Sequence, residues 1–297
     1  MDFFLACALF VAGLAFGSFL NVCISRIPRD LSIVSPRSFC PHCGAAIHWR
    51  NNIPLLSWII LRGRCRDCGL RISFRYPAVE LLTAALFLSC YVSFGITWLT
   101  LKSCVFCFLI VGLIFMDAET GLLPHEFTYS GIGLGLGLAW LSPIDPSGTA
   151  LLFNASSLRG MPSGPELSVL DSGLGTVFGA GFFYLTWALY YLVRRRSGMG
   201  FGDIALIAMV GAFLGLKLTV LVVFLAPIMA TLFALVMLLV DRGAGRGLRA
   251  NDGESRVTFA GAFLAREVPF GVFLGTSSLI ALFLGKQIWG WYFGLFR

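Results

Sequence analysis

Long apolar windows restrict the possible folds of this chain more than any other feature. A membrane-spanning helix needs about 20 predominantly apolar residues. The candidate windows are 3–25, 79–96, 98–116, 128–142, 173–193, 201–217, 218–240 and 268–286. They are apolar on all sides instead of alternating, which favours helices over barrel strands. Together with a hydrophobic content of 58%, these windows predict an all-α integral membrane protein with about eight transmembrane helices.

The distribution of basic residues predicts how the helices are oriented. The first apolar run has no basic segment before it and no obvious cleavage site, so we interpret it as a retained helix with its N-terminus outside. Alternation then makes segments 26–77, 194–196 and 241–268 cytoplasmic, and these hold nine, three and five arginines of the 22 Lys and Arg residues. This asymmetry follows the positive-inside rule. The net charge of +7 therefore indicates contact with anionic lipid, not with nucleic acid.

Segment 26–77 is predicted to be the only sizeable soluble piece of the chain, and it contains two Cys-x-x-Cys pairs. The pairs are Cys40 with Cys43 and Cys65 with Cys68, separated by 21 residues. Four thiolates in this pattern predict a tetrahedral structural Zn²⁺ site. Disulfides are the alternative, but the reducing conditions of a cytoplasmic loop favour metal. His42 and His48 could replace a thiolate as ligands.

These features divide the chain into three parts. Residues 1–25 form the first transmembrane helix, 26–77 a small cytoplasmic zinc domain and 78–297 a polytopic membrane domain. Within the last part, segment 143–172 is predicted to be a polar external loop. Segment 241–267, rich in Gly and Arg, is predicted to be a cytoplasmic connection whose basic residues contact phospholipid.

Several small or polar residues inside the apolar windows are predicted to serve packing. Gly13 and Gly17 give the first helix a small-residue face, which suits close contact with another helix. Asn21 is expected to form an interhelical hydrogen bond. Cys104 and Cys107 resemble a redox pair in spacing, but within a membrane helix we expect them to pack as small residues.

Two carboxylates are predicted to emerge at the same membrane face, each beside an apolar helix. Asp117 directly follows the third window, and Asp203 lies near the start of the sixth, immediately after Gly200-x-Gly202. An acid so placed can simply cap a helix N-terminus and face lipid headgroups, but acids at membrane spans are often functional. If the two approach each other, they can share one proton and hydrolyse a peptide through an activated water. Glu119, His125 and Glu126 are candidates for the same role by spacing.

Motifs along nearly the whole chain resemble those of the type IV prepilin peptidases. A lone Gly-x-Gly-Asp would be weak support, but several motifs occur together and in order. They are Gly17-Ser18-Phe19-Leu20-Asn21-Val22, Arg26-x-Pro28, Asn52-Ile53-Pro54-x-x-Ser57-Trp58 framed by the four cysteines, Ile72-Ser73-x-Arg75-Tyr76-Pro77-x-x-Glu80, Asp117 seven residues before Pro124, Gly200-x-Gly202-Asp203 and Pro269-Phe270-Gly271.

The resemblance implies a bifunctional enzyme of the bacterial inner membrane. Asp117 and Asp203 would be the catalytic dyad of an aspartic endopeptidase that removes the basic leader of type IV prepilins and type II secretion pseudopilins at the cytoplasmic face. The new N-terminal residue would then be methylated from S-adenosylmethionine. In this family the cysteine loop is linked to zinc and methylation, so the four cysteines carry over as metal ligands. The motifs assign no residues to S-adenosylmethionine.

Three positions depart from the family pattern. His125 stands where Asp is common after Leu-Pro, and Ala205 stands where Lys commonly follows the second catalytic Asp by two residues. Val272 follows Pro269-Phe270-Gly271, where the family usually has a second proline. Because Ala205 carries no charge, any cation that normally tunes Asp203 is missing at that position.

Two other functions are compatible with parts of the sequence. One is a peptidase without methyltransferase activity, in which the zinc loop is only a scaffold. The other is a proton-coupled transporter, which would require acids near the bilayer midplane and broken helices in paired halves. The predicted location of both acids at one membrane surface argues against the transporter.

Overall fold

A computed structural model describes residues 2–48, 51–142, 164–196, 200–245 and 269–295. Within these ranges the regular structure is helical, and β-pairing is limited to two isolated bridges. The helices are α1 Phe3–Arg26, α2 Leu56–Ile60, α3 Arg75–Phe94, α4 Trp98–Thr120, α5 His125–Leu141, α6 Pro165–Arg194, α7 Phe201–Gly245 and α8 Phe270–Gly294. Most of the two predicted loops, namely 143–163 and 246–268, lies outside the described residues.

The structure confirms an all-α membrane protein with a cysteine cluster after the first helix. Six of the described helices, α1, α3, α4, α6, α7 and α8, are long and apolar enough to cross a membrane. The predicted number of eight is not confirmed by that criterion. The difference arises because α5 has only 17 residues and because α7 covers two of the predicted windows.

A sharp reversal divides α7 at Gly215, which has a non-helical backbone with φ of 76°. Before it, Gly202 packs on Leu123 near the start of α8. After Gly215, later residues of α7 contact earlier residues of α8, since Leu218 contacts Gly285 and Phe233 contacts Phe273. The two arms of α7 are therefore antiparallel, and both the first residues of α7 and the end of its second arm lie near the start of α8.

α1 and α3 pack closely through the small residues predicted for this purpose. A Cβ added to Gly13 would lie 2.5 Å from the Cα of Ala84, and one added to Gly17 would lie 2.7 Å from the Cα of Glu80. Asn21 Nδ2 donates to the Tyr76 carbonyl at 3.0 Å, which is the predicted interhelical hydrogen bond. Close backbone approach through small residues is the usual way in which helices associate in lipid.

α4 is the central helix of the bundle and contacts α1, α3, α5, α7 and α8. Its buried side chains include Phe106, Leu113 and Met116, each at most 1% exposed. Cys104 and Cys107 are also buried, and the Cys107 sulfur lies 3.8 Å from that of Cys90 on α3. All three are free thiols that pack between helices, as predicted.

A buried pair of opposite charges lies near the reversal of α7. Lys102 of α4 and Asp171 of α6 are 1% and 2% exposed and interact electrostatically. Asp171 Oδ1 also accepts the N–H of Leu216 at 3.3 Å, so it stabilises the backbone that follows Gly215. The sequence had placed Asp171 in an external loop. That assignment was wrong, because α6 begins at Pro165 and buries this residue.

Candidate active site and metal centre

Asp117 is buried in the last turn of α4, and its carboxylate lies at the N-terminus of α8. Oδ2 accepts the backbone N–H of Val272 at 3.0 Å, and the N–H of Gly271 also donates to this carboxylate. Pro269 is the N-cap of α8, so these donors are among the first N–H groups of the helix. Such groups have no partner within their own helix and bind anions well.

Pro269-Phe270-Gly271 thus builds the pocket that holds the Asp117 carboxylate. A Cβ added to Gly271 would lie 2.7 Å from Asp117 Oδ2, so only a residue without a side chain permits this approach. Val272 stands where the family usually has proline. Since proline has no N–H, the Val272 hydrogen bond to Asp117 depends on this departure from the family pattern.

Asp203 lies in the first turn of α7, where a carboxylate interacts favourably with the helix dipole. The backbone N–H of Gly200 donates to its carboxylate, and the side chain is partly buried. Its charge interacts with that of Asp117. The two acids, 86 positions apart in the sequence, are therefore close enough to affect each other electrostatically.

Leu123 packs between the helix start that carries Asp203 and the helix start that holds the Asp117 carboxylate. Its side chain lies 2.9 Å from a Cβ added to Gly202 and 3.1 Å from one added to Gly271. It therefore packs against the first turns of both α7 and α8. Leu123 is the third residue after α4, whose C-cap Gly121 has a left-handed conformation. This turn brings α4, α7 and α8 together at one end of the bundle.

The structure does not bring the other candidate acids and His125 into the same contact. Glu119 forms an ion pair with Arg75 of α3. His125 is exposed and stacks on Tyr129 with 4.8 Å between ring centroids, and Glu126 is exposed. Ala205 is buried. Of the candidates from the sequence, Asp117 and Asp203 are the two acids whose charges interact with each other.

For the peptidase activity that the sequence motifs imply, we expect substitution of Gly271 by alanine to reduce cleavage by on the order of 10²-fold, because the new methyl group displaces the Asp117 carboxylate. The rate of leader removal by the purified variant measures this effect. Gly290→Ala in the same helix is the matched control, since a Cβ there meets nothing within 4 Å. Equal cleavage rates for the two variants would contradict the predicted catalytic role of Asp117.

The four predicted cysteine ligands form one cluster. The Sγ atoms of Cys40, Cys43, Cys65 and Cys68 all lie within 4.8 Å of one another, and those of Cys40 and Cys68 are 4.0 Å apart. Sulfurs around a tetrahedral Zn²⁺, at about 2.3 Å from the metal, lie roughly 3.8 Å apart. The donor set and its spacing therefore fit zinc. Neither His42 nor His48 belongs to this cluster among the described residues.

Each cysteine pair forms the same turn. Cys40 N–H donates to the Ala45 carbonyl at 2.9 Å, and Cys65 N–H donates to the Leu70 carbonyl at 2.8 Å. Gly44 and Gly69, which follow each pair, both have φ of 71°, a conformation that glycine adopts readily. Backbone N–H groups of Cys43 and His42 donate to the Cys40 sulfur and lower its pKa to about 7. A lowered pKa favours the thiolate that binds metal.

Comparison with protein families matches two consecutive parts of the chain. Residues 11–94 match the bacterial peptidase A24 N-terminal domain, and residues 103–235 match the type IV leader peptidase family. The first region contains the cysteine cluster, and the second contains both aspartates. No solved structure shows significant similarity to the chain.

Curated relatives extend this similarity over most of the chain. It is 39% identical over 237 residues to a prepilin leader peptidase/N-methyltransferase of Myxococcus xanthus, covering 80% of this chain and 64% of that protein. It is 33% identical to a protein of the same name from Aeromonas hydrophila, covering 95% of this chain and 92% of that protein. It is also 33% identical to one from Neisseria gonorrhoeae, covering 76% of this chain and 80% of that protein. The fold and the site define a multi-pass helical membrane protein with a four-cysteine cluster. The chain belongs to the type IV leader peptidase family.

Proposed function

We propose that this protein removes the leader peptide from type IV prepilins and type II secretion pseudopilins and then methylates the new N-terminus. The observation that carries this proposal is the electrostatic interaction between Asp203, in the first turn of α7, and Asp117, whose carboxylate lies at the first turn of α8. Relatives named prepilin leader peptidase/N-methyltransferase support both activities.

In the proposed cleavage, Asp117 and Asp203 act as a dyad that holds one proton. The ionised carboxylate takes a proton from water, and the oxygen of that water attacks the carbonyl carbon of the last leader residue. The protonated carboxyl group donates to the carbonyl oxygen as negative charge develops there. Collapse of the intermediate breaks the C–N bond, and the leaving nitrogen gains a proton to become the free amine. No covalent enzyme intermediate is required.

The location of the dyad suits a substrate that remains partly in the bilayer. We place this end of the bundle at the cytoplasmic face of the bacterial inner membrane, with the N-terminus of α1 outside. Both acids lie in terminal turns of membrane helices, so a peptide beside a membrane-embedded helix can reach them from the lipid interface. Gly200 lacks a side chain, and a Cβ there would meet nothing closer than Gly202 N at 3.9 Å, which leaves the backbone beside Asp203 open to an extended peptide.

The second proposed step modifies the amine that cleavage exposes. S-adenosylmethionine supplies the methyl group, which passes to the neutral amine as the sulfonium becomes a thioether and one proton is released. The four cysteines hold Zn²⁺ with a structural role, because four thiolates complete a tetrahedral site and leave no position open for a substrate. The metal stabilises a loop that has little hydrophobic core of its own.

Incubating the purified protein with a prepilin and labelled S-adenosylmethionine tests the proposed function. We expect the pilin to lose its leader and gain one methyl group on its new N-terminal residue, as measured by intact-mass and peptide mass spectrometry. The family resemblance implies cleavage after a glycine that ends the leader. A pilin in which a bulky residue replaces this glycine is the control and should remain uncleaved. Cleavage without methylation would support a peptidase only, and absence of cleavage would contradict the proposal.

A further inference from the structure

A cavity of about 1270 Å³ lies between the cysteine loop and the adjoining ends of α1, α3 and α4. Typical ligand pockets measure about 300–1,000 Å³, so this one can hold a nucleoside-sized molecule with room for the end of a peptide. The cleavage proposed above does not use it. Its wall contains residues from the cysteine loop, such as Trp58, as well as Asn21 of α1, Glu80 of α3 and Glu119 of α4.

Asn21 leaves a hydrogen-bonding atom of this wall without a partner. Its side chain is 3% exposed, and Nδ2 donates to the carbonyls of Tyr76 and Gly17. Its Oδ1 has no hydrogen-bond partner within the protein. Buried polar atoms are nearly always paired, and an unpaired one costs about 1–3 kcal/mol. A donor from a bound molecule would satisfy this acceptor.

Glu80 places a carboxyl group next to this acceptor position. It is 7% exposed, one turn of α3 after Tyr76, and its Oε2 accepts the N–H of Leu55 at 2.7 Å. Leu55 has φ of 60°, which is unfavourable for a leucine. The Glu80 carboxylate therefore stabilises a strained turn of the cysteine loop that forms part of the cavity wall.

Aromatic side chains form another part of the cavity wall. Trp58 and Phe74 contact each other edge to face, with ring centroids 5.9 Å apart. Trp58 Nε1 points to the Ile72 carbonyl at 3.4 Å, which fixes the indole within the loop. Phe74 is 69% exposed. An exposed ring of this kind offers a flat apolar surface on which a purine base can stack.

The cavity and the aspartate pair lie on different sides of the same helix end. Glu119 lines the cavity and pairs with Arg75 of α3, whereas Asp117 faces α8. Residues two positions apart in an α-helix differ in direction by about 200° around the helix axis. The end of α4 therefore separates the two positions, and in the proposed reaction the peptide end released beside Asp117 would pass Gly121 to enter the cavity.

We propose that this cavity binds S-adenosylmethionine, with Asn21 and Glu80 as its polar wall and Trp58 and Phe74 as the surface for the adenine. This proposal rests on the proposed function, because it assigns a place to the methyl donor of that reaction. A sulfonium cation favours a nearby carboxylate, the adenine favours an aromatic face, and the ribose hydroxyls and the amino group provide donors for Asn21 Oδ1. Glu80 and the aromatic rings thus match opposite ends of one amphipathic ligand.

Binding of labelled S-adenosylmethionine to the purified full-length protein in nanodiscs tests this assignment without requiring turnover. Glu80→Gln keeps an acceptor for the Leu55 N–H but removes the negative charge, so we expect the dissociation constant to rise about tenfold or more. Glu166→Gln is the matched control, since Glu166 is exposed at the other end of the bundle. Zinc content is measured for both variants to show that the cysteine loop remains folded.

Ultraviolet crosslinking of the same labelled compound locates the site independently. We expect the label in peptides that contain Trp58 or Phe74. Equal affinity of Glu80→Gln and the parent, or label confined to peptides outside the cavity wall, would overturn the assignment even if the parent cleaves and methylates pilin. A parent that cleaves pilin but binds no S-adenosylmethionine would overturn the assignment together with the methylation step, while leaving the peptidase intact.

Discussion

Replacing Asp117 or Asp203 by asparagine is expected to abolish leader cleavage while leaving the helix bundle folded. Asparagine retains the size of the side chain and its ability to accept the Val272 and Gly200 N–H groups, but it cannot hold or transfer the proton. Loss of either member should lower the rate by on the order of 10³-fold or more. The double variant should be no worse than the single ones, because the two acids are proposed to act as a unit.

The measurement is the rate of leader removal, with helix content and thermal unfolding recorded for each variant. Glu126→Gln serves as the matched control, since Glu126 is an exposed acid at the start of α5, in the same connecting region as Leu123. It should cleave at close to the parent rate. Substantial cleavage by Asp117→Asn or Asp203→Asn would remove that residue from the dyad.

Replacing Cys43 and Cys68 by serine is expected to release zinc and unfold the segment between α1 and α3. One ligand is lost from each of the two equivalent turns, so neither pair remains complete. Structural zinc contributes about 10–16 kcal/mol of binding free energy in small metal-stabilised domains, far more than a segment of this size obtains from its own core. Because this segment forms most of the cavity wall, S-adenosylmethionine binding should be lost as well.

Metal analysis and hydrogen exchange of peptides from residues 38–72 measure these two effects. Cys7→Ser is the control, since Cys7 is an exposed free thiol of α1 outside the cluster. It should retain one zinc per chain and the exchange protection of the parent. A parent protein that contains no zinc after gentle purification would refute the ligand assignment.

Local sequence patterns predicted those parts of the structure that depend on short spacing. Gly13 and Gly17 predicted a close helix contact because residues four apart lie on the same helix face. The two Cys-x-x-Cys pairs predicted a metal cluster because the tetrahedral chemistry of zinc restricts the spacing of its ligands. Asp117 and Asp203 were singled out because a carboxylate is unusual beside a membrane-spanning helix.

Features that depend on long-range packing could not be predicted in this way. Lys102 and Asp171 pair across two helices, and nothing in the spacing of either residue identifies its partner. The role of Gly271 could be identified only from the structure, because its contact with Asp117 joins positions more than 150 residues apart. The reversal at Gly215 is not apparent in an apolar run, although a glycine there permits the positive φ that the turn needs.

The opposite orientations of Asp117 and Glu119 around the end of α4 bear on the order of events during pilin maturation. Under the proposed function, the amine to be methylated does not exist in an uncut prepilin, because its nitrogen is still part of the bond to the leader. Once the leader departs, the shortened tip can swing past Gly121 while its hydrophobic helix stays in the bilayer. Only pilins that have lost their leader would then be methylated, and no separate site would be needed to recognise them.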